Sequence, residues 1–449
     1  MKLRIGLSTI FFALSFALQA DDKIQLREEF RAGEMSVARL QFKAEGDLLI
    51  AQSDNKDKPQ SFSAQGTFVY EEKFLNSGTT EASVAGKSLR YYSSSSLESI
   101  FEGRKTVREL REAVRLMVCE VRNGKPFVFS PLSPLTVEEY ELVEADATLD
   151  GLVLGGFLPL EPVAVGATWK PTESAVSAIF NITHVFKNEL MAELKSVDEA
   201  TAKISLTGHV AGLSSGTECE RTVSGEITFD RRRSLITQVT LAHREERKPG
   251  PLGLALQAKA TFSFNRDFDT PIARFHEKEL ENVPVTANPA TELLAYSQPD
   301  GRYRIHFQRG WFVARSNPQA AVLRLLDDGI FVSECHILAA PTVAAGTHIQ
   351  PEEFRTQVQQ ALGKQFQQFI QEGEVPAPQG HWFYRLTAAG TANEQPVVWI
   401  YHLAAGPQGH QLVFIFRVSA DQIDQFGARD LALVGALEFE AARTASSKK

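Results

Sequence analysis

The chain has 449 residues, a formal net charge of −8, and 43% hydrophobic and 23% charged residues. These are ordinary globular proportions, sufficient for two or three domains that each bury a core, and they exclude a globally disordered chain. The mildly acidic balance argues against nucleic acid as a partner, since no basic footprint is present to meet phosphates.

Residues 1–20 read as a secretory signal peptide. Lys2 and Arg4 form a positive start, an apolar run follows, and Asp21-Asp22 opens the polar chain. Cleavage falls after Ala20 or Ala17, the run is too short to span a membrane, and no cysteine follows the cut to carry a lipid anchor. The expectation is an exported protein, periplasmic or extracellular, with no transmembrane helix after cleavage.

Beyond the signal, Leu40, Phe42 and Ala44 alternate with Gln41 and Lys43, and Phe62, Phe68 and Tyr70 follow a polar loop, which predicts half-buried strands. Asn123-Gly124, between apolar runs at 114–118 and 126–129, predicts a type I′ hairpin, because both residues accept positive φ. The segment before Glu112 is open to helix or strand. Thr136, with Glu139 three residues on, forms a capping box that starts a short acidic helix. Residues 151–168, with four glycines and two prolines, predict an irregular stretch ending at Trp169, whose ring packs back on a core. Strands follow at 184–186, 202–206, 225–229, 235–242 and 258–264, predicting a curved antiparallel sheet or half-barrel.

Two prolines and lost periodicity place a linker at 283–294. After it, strands at 303–307 and 330–338 precede an amphipathic helix opened by Pro351, in which Phe354, Val358, Leu362, Phe366, Phe369 and Ile370 share a face. Strands at 382–386, 397–403 and 411–418 lead to a closing helix capped by Ser419 that turns Phe426, Leu433, Val434 and Leu437 inward. The fold class expected is therefore α+β: a β-rich antiparallel N-terminal domain (21–282), and an α+β domain (295–440) whose antiparallel sheet is covered by helices. Residues 441–449 are expected to be a disordered tail.

Chemistry is sparse. Cys119, Cys219 and Cys335 are too few and too widely spaced for a disulfide framework. A Cys119–Cys219 bridge is weighed against two separate buried thiols, the commoner state of free cysteine. Cys335-His336 are strand neighbours that point to opposite faces and cannot chelate one ion, and His402 and His410 lack a third ligand. Glu138, Glu139, Glu141, Glu144, Asp146 and Asp150 lack calcium-loop spacing and read as a solvated helix face. Arg231-Arg232-Arg233 reads as a hydrated turn. No nucleophile elbow, phosphate loop or papain-like context is present, so no catalytic, cofactor or metal residue is assigned.

Residues 295–440, through the element order and Gly310-Trp311, resemble PsbP-like domains of the PsbP and DcrB type. Residues 105–265, through Arg111-Glu112-Ala113-Val114-Arg115, Leu158-Pro159, 163–169 and Phe229-Asp230-Arg231-Arg232, are similar to uncharacterised secreted planctomycete-type proteins. The first resemblance implies protein binding or assembly, and neither supplies catalytic residues. The expected function is thus a non-enzymatic binding or assembly module of the envelope, with an envelope protein or a lipid as partner. One alternative is a hydrophobic-ligand or lipid carrier, a LolA-like half-barrel with Phe68, Trp169, Phe180 and Phe264 as its wall, although such aromatics are more often core. A second is an extracytoplasmic hydrolase with the 151–169 loop as a lid.

Overall fold

The computed structural model describes residues 23–51, 57–79, 86–147, 151–275 and 280–440. The expected signal peptide at 1–20 and the expected tail at 441–449 lie outside them. The first strands are β1 (Glu29–Phe30), β2 (Met35–Ala51), β3 (Asp57–Phe74), β4 (Gly78–Thr79), β5 (Lys87–Phe101), β6 (Arg104–Glu109), β7 (Leu116–Arg122) and β8 (Lys125–Phe129). Next come β9 (Leu135–Thr136), helix α1 (Val137–Ala147), β10 (Thr168–Trp169) and helix α2 (Glu173–Phe180). The strands β11 (His184–Asn188), β12 (Met191–Val197), β13 (Thr201–Ser214), β14 (Thr217–Asp230), β15 (Leu235–Arg247) and β16 (Ala255–Asp267) complete this half.

These strands build one 13-stranded sheet in the order β10-β12-β13-β14-β15-β16-β2-β3-β5-β7-β8, with β11 on β13 and β6 on β5. Alternation along the strands puts one face inward. Leu40, Phe42, Phe68, Tyr70, Val239, Leu241 and Phe264 are buried there, beside Leu142 and Val143 of α1 and Val176 and Ile179 of α2. Gly66 and Gly225 also face inward, where the Phe42 ring and the Leu241 side chain occupy the space that a Cβ would need. The β7–β8 hairpin turns at Asn123 (φ 51°) and Gly124 (φ 76°), the positive pair that a type I′ turn requires. The capping box is present too: Glu139 N–H donates to Thr136 Oγ1 (3.2 Å) and Thr136 N–H to Glu139 Oε2 (2.9 Å).

The remaining elements are helix α3 (Pro289–Glu292), β17 (Leu294–Ser297), β18 (Tyr303–Phe307), β19 (Trp311–Asn317), β20 (Ala320–Asp327), β21 (Ile330–Ala340) and helix α4 (Pro351–Leu362). After them come β22 (Phe366–Val375), β23 (Trp382–Ala392), β24 (Gln395–Ala405), β25 (Gln411–Ser419), helix α5 (Ile423–Phe426), helix α6 (Arg429–Gly435) and β26 (Leu437–Phe439). Seven strands form a second sheet in the order β19-β20-β21-β25-β24-β23-β22, and β26-β18-β17-β9 form a third, where β9 pairs parallel with β17. One apolar core runs from Leu26 through the large sheet to Leu437, while Val283, Val285 and Ala287 from the expected linker pack beside Leu89, Val118 and Phe129.

The expected α+β class is corrected by this architecture. Strand accounts for 56% and helix for 15%, so the fold is mostly β, and helices do not cover the C-terminal sheet as expected. Two differences account for the error. The expected helix to Ile370 stops at Leu362, where Gly363 takes φ 52°, and Phe366 and Phe369 lie on β22 instead. Register shifts after Phe366 and again after Phe369 put three-residue spacing on a strand, and the two rings meet at 4.7 Å. That spacing imitates a helical period. The closing helix is likewise divided at Gly427 (φ 58°) into two short pieces.

Candidate ligand pocket

The most enclosed of the concave sites described here lies where α1, α2 and the β7–β8 hairpin meet, a cavity of about 130 Å³. Each wall has a local cause. The capping box fixes the start of α1, whose next turns carry Tyr140, Val143 and Glu144 into the cavity wall. Thr172 caps α2 by accepting from Ala175 N–H (3.2 Å), and Asn181 ends that helix in the left-handed region at φ 48°. The Asn-Gly turn brings Lys125 and Pro126 to the rim. Val128, Val143 and Ala178 make an apolar floor, and Tyr140, Glu144, Ser177 and Asn181 supply the polar groups.

Glu144 is the chemically distinctive residue. Burial, with Glu141 nearby, pushes its carboxyl up to about 6, against the opposing effects of a hydrogen bond from Asn181 and the charge of Arg309. Burial also raises the Tyr140 hydroxyl. Arg309 lies 4.9 Å from the Tyr140 ring centre and 4.1 Å from that of Phe127, and its Nε donates to the Glu292 carbonyl (3.2 Å). Phe127 also carries Arg122 at 3.6 Å. The pocket therefore adjoins the contact between the hairpin and the turn that precedes Trp311.

The sequence-predicted wall residues are placed as follows. Phe68 and Phe264 sit on one rung, each paired with Leu40 on the strand between them, and at 0% and 2% exposure they are core. Phe180 ends α2 and is buried against His243 and Arg221, while Trp169 lies on the edge strand β10 with its Nε1 donating to the Phe157 carbonyl (2.8 Å). None of the four lines a cavity described here. Cys119, on β7, and Cys219, on β14, have five strands between them in the sheet order, and both are buried and, like Cys335, in no disulfide. The Cys119–Cys219 bridge is therefore absent.

Three buried ionic clusters carried no motif. Glu72 accepts from Ser88 Oγ (2.8 Å), Arg90 Nε (2.8 Å) and Arg266 Nη2 (3.2 Å), and Glu28 lies in the same interior with Oε1 accepting from Ile236 N–H (2.9 Å). Arg221 pairs with Glu245 (3.2 Å), beside His243. Against the seven-stranded sheet, Asp430 Oδ2 of α6 meets His402 Nε2 of β24 (2.8 Å) and Arg385 Nε of β23 (2.7 Å). The only sequence signal was a charged residue at an inward register position, such as Glu72 between Tyr70 and Phe74.

Wider grooves are more open. Two of about 670 and 460 Å³ share Lys43 and Thr261 on the large sheet, and the larger is lined by Phe42, Leu206, Leu241 and Phe262 together with short polar residues such as Ser224, Thr240 and Ser263. Among the described residues no group of three or more His, Cys, Asp or Glu is placed to hold a metal ion, and no helix is long and apolar enough to cross a membrane.

No family model matches the chain, and no curated protein matches it. Among solved structures it is similar to the cyanobacterial PsbP protein (CyanoP) of Synechocystis sp. PCC 6803, with 13% identity over 34% of this chain and 98% of that one and a TM-score of 0.27. It is also similar to lipovitellin, with 8% identity over 55% of this chain and 26% of that one (TM-score 0.30). OprD of Pseudomonas aeruginosa matches at 10% identity over 86% of this chain and 95% of that one (TM-score 0.13). Likenesses this distant carry no argument about what this chain does.

Proposed function

We propose that this chain is an exported, non-enzymatic binding module, and that the pocket between α1, α2 and the β7–β8 hairpin is where it holds its partner. One observation carries the reading: a cavity of about 130 Å³ combines an apolar floor with a desolvated carboxyl, an amide and an ammonium at its rim. At about 30 Å³ per water, that space fits one side chain or a compound of similar size. Lipid-carrier wall residues would have to face a cavity, and Phe68, Phe180 and Phe264 are instead taken up in the core. His402, fully buried against Asp430, suits a structural role better than hydrolysis.

A screen of small polar compounds by ligand-observed NMR tests this reading. Compounds that compete for one site on the wild-type chain should lose binding in Ala178→Leu, which fills the floor, while thermal unfolding confirms that this variant is folded. Binders unaffected by Ala178→Leu, or no binders at all, would overturn it.

A further inference from the structure

We infer that the pocket takes a small zwitterion, a compound with an ammonium and a carboxylate a few bonds apart, such as a free amino acid with a short side chain. This rests on the binding reading above and adds the ligand class. The argument is one of charge placement. Glu144 enters from α1 and Lys125 from the hairpin, so charges of opposite sign stand on separate walls of one cavity. Among the described residues they make no ion pair with each other and Lys125 is in none: the ion pairs nearest in the chain are Arg122 with Glu120 and Glu292, and Glu141 is engaged by Arg108.

A cation alone would leave Lys125 unmatched at the rim, and an anion alone would face the Glu144 carboxylate. A neutral molecule would answer neither. A zwitterion answers both, with its ammonium toward Glu144 and the Asn181 amide oxygen and its carboxylate toward Lys125. The floor of Val128, Val143 and Ala178 suits a hydrogen or a methyl group rather than a long side chain, and the volume of about 130 Å³ sets the same limit. The other charged or titratable groups near Glu144 are Glu141, held by Arg108, and Arg309, which lies over the Tyr140 ring with its Nε on the Glu292 carbonyl.

Isothermal titration calorimetry on the full chain from Asp21 tests the inference with glycine, alanine and serine. Lactate and alaninamide serve as size-matched compounds with one charge each. The expected result is saturable binding of alanine, with both single-charge compounds weaker by about tenfold or more, since each loses one charge-assisted hydrogen bond. Glu144→Gln and Lys125→Met should each weaken alanine by a similar factor with unfolding temperatures retained. Affinity should also fall about tenfold from pH 7 to pH 5, as the Glu144 carboxyl at about 6 becomes protonated. If the single-charge compounds bind as well as alanine, the zwitterion inference is overturned and the pocket reading stands. If no amino acid binds while other polar compounds do so in an Ala178-dependent way, the inference is again overturned alone. If nothing binds, both fail.

Discussion

Glu28 offers the sharpest test of the interior of the large sheet. Its carboxyl is fully buried, and desolvation pushes its pKa from 4.5 up to about 7, despite the charge of Arg266 and hydrogen bonds from the backbone of Ile236 and Gly155. Glu72 adds to the rise, while Arg90 and Arg266 are engaged with Glu72 itself. A carboxyl whose pKa is higher in the folded than in the unfolded chain imposes no penalty below 4.5. Its penalty grows as pH rises through the window from 4.5 to about 7 and is complete above it, where a shift of this size corresponds to about 3 kcal/mol. Glu28→Gln keeps an acceptor for Ile236 N–H (2.9 Å in the native chain) and removes the ionisation. The variant should therefore be more stable than the native chain at pH 8, by up to about 3 kcal/mol, with the difference shrinking toward pH 4.5. Urea unfolding followed by tryptophan fluorescence at several pH values measures this directly. A variant less stable at pH 8, or a difference that does not change with pH, would refute the reasoning.

Other consequences are independent of that cluster. Asp430→Ala leaves the fully buried His402 without its partner and removes the ion pair of Arg385, which keeps its bond to Gln371, and should cost about 1–3 kcal/mol, visible as a drop in unfolding temperature. Gly390→Ala places a Cβ against the Gln365 carbonyl oxygen, at the bulge where β22 begins, and should destabilise by about 1–3 kcal/mol in denaturant titrations. A thiol-specific reagent should titrate three cysteines in the denatured, unreduced chain and react slowly with the folded one, since all three are buried and burial raises the Cys219 and Cys335 thiols. Two titratable thiols fewer would restore the Cys119–Cys219 bridge.

Local chemistry was legible in the sequence where a few adjacent residues dictate geometry. Asn123-Gly124 named its turn, and Thr136 with Glu139 named the start of α1. Asn317-Pro318 is a further turn signal of this kind. Asn317 Oδ1 accepts from Gln319 N–H (2.9 Å) and Ala320 N–H (3.0 Å), closing the β19–β20 hairpin. Period was less dependable, because two bulges on β22 gave Phe366 and Phe369 a helical spacing within a strand. The pocket was beyond reach of any local pattern. Glu144 looked like one more acid on a solvated helix face, as Glu138 and Glu141 are, and only α2 and a hairpin distant in sequence enclose it. The buried partners of Glu72 and Asp430 likewise come from strands and helices far along the chain.

Native mass spectrometry of the chain from Asp21 onward, purified from a secreting host without detergent, bears most directly on the account. A binding module with a cavity of about 130 Å³ should fly without lipid, and any small adduct it retains should disappear in Ala178→Leu. A lipid mass released only on denaturation would contradict the account and restore the carrier reading.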